Sequence, residues 1–442
     1  WLKARRLQPS FSFPLSTFSR LAAMQRLARG LKLGRGLRRF AGTSVERAVT
    51  LRWPDGREAG AFLPKFLREN TIEAWDGSSK QRLDFCLPLD LQVRDVAPVE
   101  FSSPDYSGPA FRLQFSDGHV GHFTPPRPAD TMWSNELRHQ EKVLWGSDEA
   151  TQVRGELSDS RGPLRFEWKD LQENPSVARK WIEAMHSHGL ALVAGLPGSE
   201  DKPFDGVHAF AQSLGTFLAP SVYGQTFQIK SVTSPNNLAY SSLGLQMHTD
   251  LPFNEQPPGI QLFHCLQQAE EGGESIAMDG FAAAESLRQQ DPEAFQTLCE
   301  HPIGFQDVTK DWFLSAKHPI FELDGAGSAD ASKLRRLNFN ERARDSWRHW
   351  NPTASLQQEE KVYEAMIKFE KLVEDRSRYV SLRLLPGEMI CTDNWRVMHS
   401  RSSFLGSRYF VGAYLDWDAV RGRWRNLSNT FEAQWRDIAS TH

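Results

Sequence analysis

The 442-residue sequence predicts an α+β protein: a small β-rich domain, then a larger strand-dominated one, mixed α+β or a β-sandwich with flanking helices. Three observations carry that expectation. Helix-like segments in the second half are separated by more than one strand-like run, which excludes a regular βαβ repeat. Two Asp-Gly dipeptides, at 55–56 and 117–118, stand between apolar stretches within the first 125 residues, a strong hairpin signal. Composition is ordinary for globular chains, 40% hydrophobic and 24% charged, and no apolar run approaches the ~18 residues of a membrane helix.

The elements follow in chain order. Residues 1–45 hold ten Lys or Arg and no acid, Glu46 being the first. Rich in Leu, Ser and Arg, this head has the composition of an organelle transit peptide, which predicts a mitochondrial matrix location. The alternative is a disordered basic arm on a cytoplasmic protein. Met24 is the expected start, since the chain opens on Trp1. Residues 46–125 read as the small β domain, with hairpins in VERAVTLRWPDGREAGAF and AFRLQFSDGHVGHF. Residues 126–165 are polar and read as a linker with a short helix.

From 166 to 425 the texture changes to one larger domain. Pro175 opens a helix with Val177, Trp181, Ile182 and Met185 at core-facing spacing, stopping near Gly189. LALVAGL follows as a buried strand. Further helices are expected at His208–Leu214, Phe281–Gln290, Pro292–Glu300 and Gln357–Asp375. Strands are expected at GIQLFHCL, SIAMDGF, KLRRLNFN, VSLRLL, EMICTDN and RYFVGAYLDW, and residues 426–442 as a C-terminal helix.

Charge and cysteine usage exclude several functions. Beyond the head the chain has 42 basic against 55 acidic residues, so it is no electrostatic nucleic-acid binder. Cys86, Cys265, Cys299 and Cys391 form no CxxC pair, which excludes a disulfide framework and a cysteine-built zinc site.

The sharpest local feature is His248-Thr249-Asp250 in LGLQMHTDLPF. Residues i and i+2 of an extended segment point to one face, so both side chains can reach one ion. Two histidines and a carboxylate on one octahedral face leave three positions open, as in non-haem Fe(II) oxygenases. His399 in TDNWRVMHSRSSF is the candidate third ligand. Arg408, nine residues later, is placed to clamp the far carboxylate of a keto-acid cosubstrate. A His-x-Asp alone is more often a satisfied surface pair; the chain order His-x-Asp, distal His, Arg is what narrows the reading.

The stretch NNLAYSSLGLQMHTDLPFNEQPPGIQLFHCLQQAEEGGESIAMDGF, with TDNWRVMHSRSSF and GAYLDWD, strongly resembles the γ-butyrobetaine dioxygenase family. Trimethyllysine dioxygenase is its close relative, within the wider Fe(II)/2-oxoglutarate superfamily that includes taurine dioxygenase. The resemblance covers roughly 166–425, and more faintly the N-terminal domain. It implies a double-stranded β-helix (jelly-roll) core that hydroxylates a trimethylammonium carboxylic acid, with γ-butyrobetaine to L-carnitine as first choice. Trimethyllysine or another betaine is the alternative substrate. His248, Asp250 and His399 match the iron ligands. Arg408 and Ser275 match the positions that hold 2-oxoglutarate. Tyr223, Phe227, Tyr240 and Tyr414 fall where the family builds an aromatic cage for a quaternary cation, which has no N–H to donate. Asn237 and Asn340 match the amides for the substrate carboxylate. No catalytic side chain beyond the metal centre is expected. Dioxygen completes the set of small partners, ascorbate is an optional accessory, and a homodimer is implied by the resemblance alone.

Three positions depart from the family pattern. Trp more usually stands at Phe227, and Tyr often stands at Leu251 in butyrobetaine enzymes. The segment after LREN reads TIEAWDGSSKQ, without the family's zinc-binding cysteines, although His119 remains; no structural zinc is expected. A binding protein that keeps the cage without oxidation is the competing class, and an intact triad with Arg408 weighs against it.

Overall fold

Both Asp-Gly turns join paired strands. Val49–Arg52 pairs with Glu58–Phe62 around the first, and Ser107–Phe115 with Val120–Phe123 around the second. Gly56 and Gly118 take φ of +86° and +89° there, a region L side chains rarely enter. Val93–Ser102 completes a three-stranded sheet. The apolar faces of both hairpins bury Leu51, Phe111, Leu113, Phe115 and Phe123 with Leu67. The computed structural model describes residues 48–428 apart from 77–80, 84–85, 104–106, 126–136, 138–139, 231–241, 310 and 325–333. The basic head therefore lies outside the described residues, as does most of the expected C-terminal helix.

The larger part is a jelly roll of two sheets. The major sheet runs in the order Arg165–Glu167, Leu190–Ala194, Met389–Asp393, Ile260–Gln267, Tyr409–Leu415, Thr226–Lys230. The minor sheet runs Val380–Leu382, Ser275–Asp279, Val397–Arg401, Leu245–His248. All neighbours are antiparallel except the first pair of the major sheet. One buried cluster holds Trp181, Leu192, Phe210, Leu262, Cys391 and Phe410; the second holds Met247, Met278, Phe295, Phe321, Phe369 and Tyr414.

The helices form for local reasons. In Pro175–Ser187 the Asn174 side chain accepts from the Ser176 amide, and Pro175 loses no hydrogen bond in the first turn. Its buried face is Ala178, Trp181, Ile182 and Met185. Gly189 follows at φ +71°, donating its amide to the Met185 carbonyl. A Cβ there would stand 2.8 Å from Val397, so this turn packs directly on the strand that carries His399. Leu356–Val373 starts with a capping box between Ser355 and Gln358.

Residues upstream of 166 also belong to this unit. The Ala150–Ser158 helix buries Ala150, Val153 and Leu157, and these with Leu137, Trp145 and Leu164 join the Trp181 core. The packed unit thus begins inside the stretch expected to be a linker. A fully buried Arg396–Asp279 ion pair ties it down: Arg396 also donates to the carbonyls of Val143 and Ser187, and Asp279 accepts from the Trp145, Phe281 and Ala282 amides. Removing one partner alone costs roughly 3–5 kcal/mol, because the other is left charged and buried. At the far end the last described helix is Trp417–Leu427, so helix begins nine residues before the expected 426.

Candidate functional site

Strand pairing assembles the site. Across the minor sheet His399 is the register partner of His248, which sets the two imidazoles side by side with ring centroids 4.3 Å apart. Asp250 sits two residues beyond His248, where the strand has ended. The turn is held from both sides. Asn394 accepts from the Asp250 amide (2.6 Å) and donates to the carbonyls of Asp250 and Pro258 (3.0 Å each). The Thr249 hydroxyl accepts from the Phe339 amide (3.0 Å), and the Thr249 amide donates back to the Phe339 carbonyl (2.7 Å). Leu251 then takes φ +56° while its side chain stays buried. A branched residue in the left-handed region costs about 1–3 kcal/mol, and it persists only where the surroundings over-determine it.

The donor geometry suits one metal ion. Asp250 Oδ1 lies 3.4 Å from His248 Nε2 and 3.6 Å from His399 Nε2, and the three ligand atoms fall within 4.8 Å of one another. His248 Nδ1 stands 2.8 Å from the Gln246 carbonyl, so Nδ1–H donates and the Nε2 lone pair faces the carboxylate. Burial alone would raise the Asp250 carboxyl. The neighbouring His399 and His248 imidazoles and the Tyr414 hydroxyl outweigh it and hold the carboxyl below the ordinary range. Burial, with His248 alongside, pushes His399 down to about 4, leaving it a neutral ligand near pH 7.

The triad opens onto a cavity of about 400 Å³. Of the residues expected from the sequence, Arg408, Ser275, Tyr223, Phe227, Asn340 and Tyr414 all line it. Asn237 and Tyr240 lie outside the described residues. Phe227 stands between the other two rings, 5.6 Å from Tyr223 and 5.4 Å from Tyr414. Its register partner is Gly412, where a Cβ would meet the Phe227 ring at 2.2 Å. Only a residue without a side chain lets the Phe227 ring lie there. The Asn340 amide is already engaged, donating to the Thr249 carbonyl and accepting from the Arg342 and Ala343 amides.

Arg408 is buried against Phe410, its guanidinium carbon 3.6 Å from the ring centroid. Its Nε and Nη2 have no hydrogen-bond partner, and no carboxylate lies within ion-pair distance among the described residues. Burial first, and then Arg401, lower its pKa to about 9. An uncompensated buried cation calls for an anion from outside the protein.

Several neighbours of the triad escaped the sequence reading. Gln261 donates to Asp250 Oδ2, Thr392 donates to Gln261, and Asn394 brackets the turn. The available signal was polar residues breaking an apolar strand, one in GIQLF and three at the end of MICTDN. His119 has Nε2 3.0 Å from the Thr71 hydroxyl.

A family model for the taurine catabolism dioxygenase TauD, TfdA family matches residues 154–414. The chain belongs to this family. The relatives include γ-butyrobetaine dioxygenase of Homo sapiens, 33% identical over 274 residues, 60% of this chain and 67% of that protein. γ-Butyrobetaine dioxygenase of Pseudomonas sp. (strain AK-1) is 26% identical over 87% of this chain and 94% of its own. Trimethyllysine dioxygenase of Meyerozyma guilliermondii is 27% identical over 86% and 94% respectively. Membership makes the chain a 2-oxoglutarate-dependent dioxygenase using Fe(II), and its residues fit both groups. The neutral imidazoles and ionised carboxylate suit Fe(II), while the orphaned Arg408 nitrogens suit the 2-oxoglutarate dianion. No helix among the described residues is long and apolar enough to cross a membrane.

Proposed function

We propose that this dioxygenase hydroxylates a small trimethylammonium carboxylic acid, γ-butyrobetaine first, to give L-carnitine. The observation that carries this reading is the adjacency of aromatic wall and metal ligands: the Tyr414 ring lines the cavity beside Phe227 while its hydroxyl donates to Asp250 Oδ2 at 2.8 Å. A receptor for a cation without N–H groups therefore stands directly beside the carboxylate of the triad.

In this reading His248, Asp250 and His399 hold Fe(II), which with 2-oxoglutarate and dioxygen supplies C–H hydroxylation chemistry. Arg408 pairs with the far carboxylate of 2-oxoglutarate, and Ser275, buried on the adjoining minor-sheet strand, adds a hydroxyl. Tyr223, Phe227 and Tyr414 seat the trimethylammonium head, joined by Tyr240. Asn340 and Asn237 receive the carboxylate tail. Fixing both ends of a zwitterion selects which carbon faces the metal, and such positioning contributes up to ~7–11 kcal/mol of a barrier.

A second substrate, trimethyllysine, is favoured by one feature of the rim. The antiparallel bridge Phe305–Arg344 and the Gln306 amide bond to the Ala343 carbonyl set Asp307 opposite Arg342, and both line the cavity. Burial raises the Asp307 carboxyl and lowers the Arg342 guanidinium. An acid and a cation on one rim complement the ammonium and carboxylate of an amino acid.

Anaerobic binding of each zwitterion to the Fe(II)–2-oxoglutarate protein, then oxygen and succinate measurement, separates the two. Succinate formed without substrate hydroxylation on either would refute the reading. We further propose that the basic head directs the protein to the mitochondrial matrix; a fusion of residues 1–45 to a reporter that stays cytosolic would refute it.

A further inference from the structure

We infer that Gln261 is a positioning residue that sets the triad for one-oxygen ligation by Asp250, an inference that rests on reading the triad as a metal site. Gln261 lies on Ile260–Gln267, between Met389–Asp393 and Tyr409–Leu415, with Thr392 and Tyr414 as its register partners. It is 6% exposed on a strand whose neighbours Ile260 and Leu262 are fully buried. A buried amide must be satisfied, and here the satisfaction is specific.

Thr392 Oγ1 donates to Gln261 Oε1 at 3.2 Å. The opposite orientation would aim Oε1 at the Asp250 carboxylate, acceptor against acceptor, so the network fixes the amide with Nε2 toward the triad. Nε2 carries two hydrogens and meets two acceptors: Asp250 Oδ2 and, at 3.1 Å, His399 Nε2. Tyr414 donates to the same Oδ2. With two donors on Oδ2, Oδ1 is the oxygen left facing both imidazoles.

The two histidines differ in how they are oriented. His248 is anchored through Nδ1 by the Gln246 carbonyl. His399 Nδ1 is buried without a partner, so its ring lacks the usual outer anchor of a metal-ligating histidine. The Gln261 amide meets His399 at Nε2, with Asp250 Oδ1 3.6 Å from the same atom; it holds His399 and Asp250 in place while no metal is bound and would yield Nε2 to the metal while keeping its bond to Asp250 Oδ2.

The test is Co(II) titration of the metal-free full chain, followed by visible absorption, for wild type, Gln261→Met, Thr392→Val and the double variant. Gln261→Met keeps the volume and removes both donors; its Co(II) dissociation constant should rise roughly 10–100-fold, with altered d–d bands. Thr392→Val should move the same way by less, and the double variant should match Gln261→Met alone, because Thr392 acts through the amide. Wild-type affinity and spectrum in Gln261→Met overturn the inference, as does full additivity in the double variant. Should Gln261→Met fail to fold, Thr392→Val decides, and wild-type affinity there overturns it. Failure of the wild type itself to bind Co(II) would instead remove the metal-site reading on which the inference stands.

Discussion

The two ends of the cavity are built on opposite plans. At the metal end the Asp250 side chain accepts from Gln261 and Tyr414, its carbonyl accepts from Asn394 while its amide donates back to Asn394, and His248 is anchored to Gln246. At the other end Arg408 keeps a buried charge with two unpartnered nitrogens. The first end is prepared by the protein; the second is complete only with an anion in place. The difference teaches where stability and function compete in this fold. Supporting bonds at the triad serve both, whereas Arg408 serves binding at the expense of the empty protein.

Breaking the prepared end gives the largest effect. Asp250→Ala leaves two imidazoles without their carboxylate and should abolish succinate formation at any iron concentration; turnover near the wild-type rate would remove Asp250 from the metal centre. Arg408→Met comes next. Loss of a buried charged partner should weaken 2-oxoglutarate binding by roughly 2–5 kcal/mol, read by calorimetry. The same change should raise the unfolding free energy of the ligand-free protein by roughly 1–3 kcal/mol, since an uncompensated charge leaves the interior. A less stable variant would contradict the contrast between the ends.

pH sharpens the comparison more gently. Burial holds the His399 imidazole down to about 4 from its ordinary 6.5, so the stability of the metal-free protein is fully present above about pH 6.5 and is lost as pH falls toward 4. Denaturant unfolding across that range should show the loss in wild type and less of it in His399→Asn; equal pH dependence in the two would break the assignment. The smallest effect is at the head-group wall. Phe227→Trp should strengthen tetramethylammonium binding by ~0.5–1 kcal/mol if the indole finds room. Unchanged binding of that cation in Phe227→Ala would take the ring out of the wall.

What the sequence disclosed follows from how local each signal is. The His248–Asp250 pair was legible because a spacing of two residues is local, although the strand ends at His248 and a turn, not an extended segment, brings Asp250 to the same point. His399 and Arg408 were reached through chain order and resemblance, and the sheet then brought His399 opposite His248. The helices at 175–187, 280–290, 292–300 and 356–373 announced themselves by apolar spacing and capping residues. Leu245–His248 and Val397–Arg401 were not read as strands, since each is short and mixes polar ligands into its apolar run. Ile303–Val308 and Phe313–His318 were missed as well; they pair with each other at the edge, and several of their residues face solvent. Gln261, Thr392 and Asn394 were invisible for a different reason. Their importance arises from partners more than a hundred residues away, or from a turn whose backbone only the fold positions.

Gly412 adds no atom to the cavity lining, yet the height of the Phe227 ring is set by its missing side chain. The calibre of the proposed head-group seat is thus controlled from the far side of an aromatic ring, by the one residue type that offers nothing to recognise. Any effort to retune which onium ion this enzyme accepts, by design or by drift, has to begin beneath that ring, because a methyl at 412 would tilt the wall before any guest arrived.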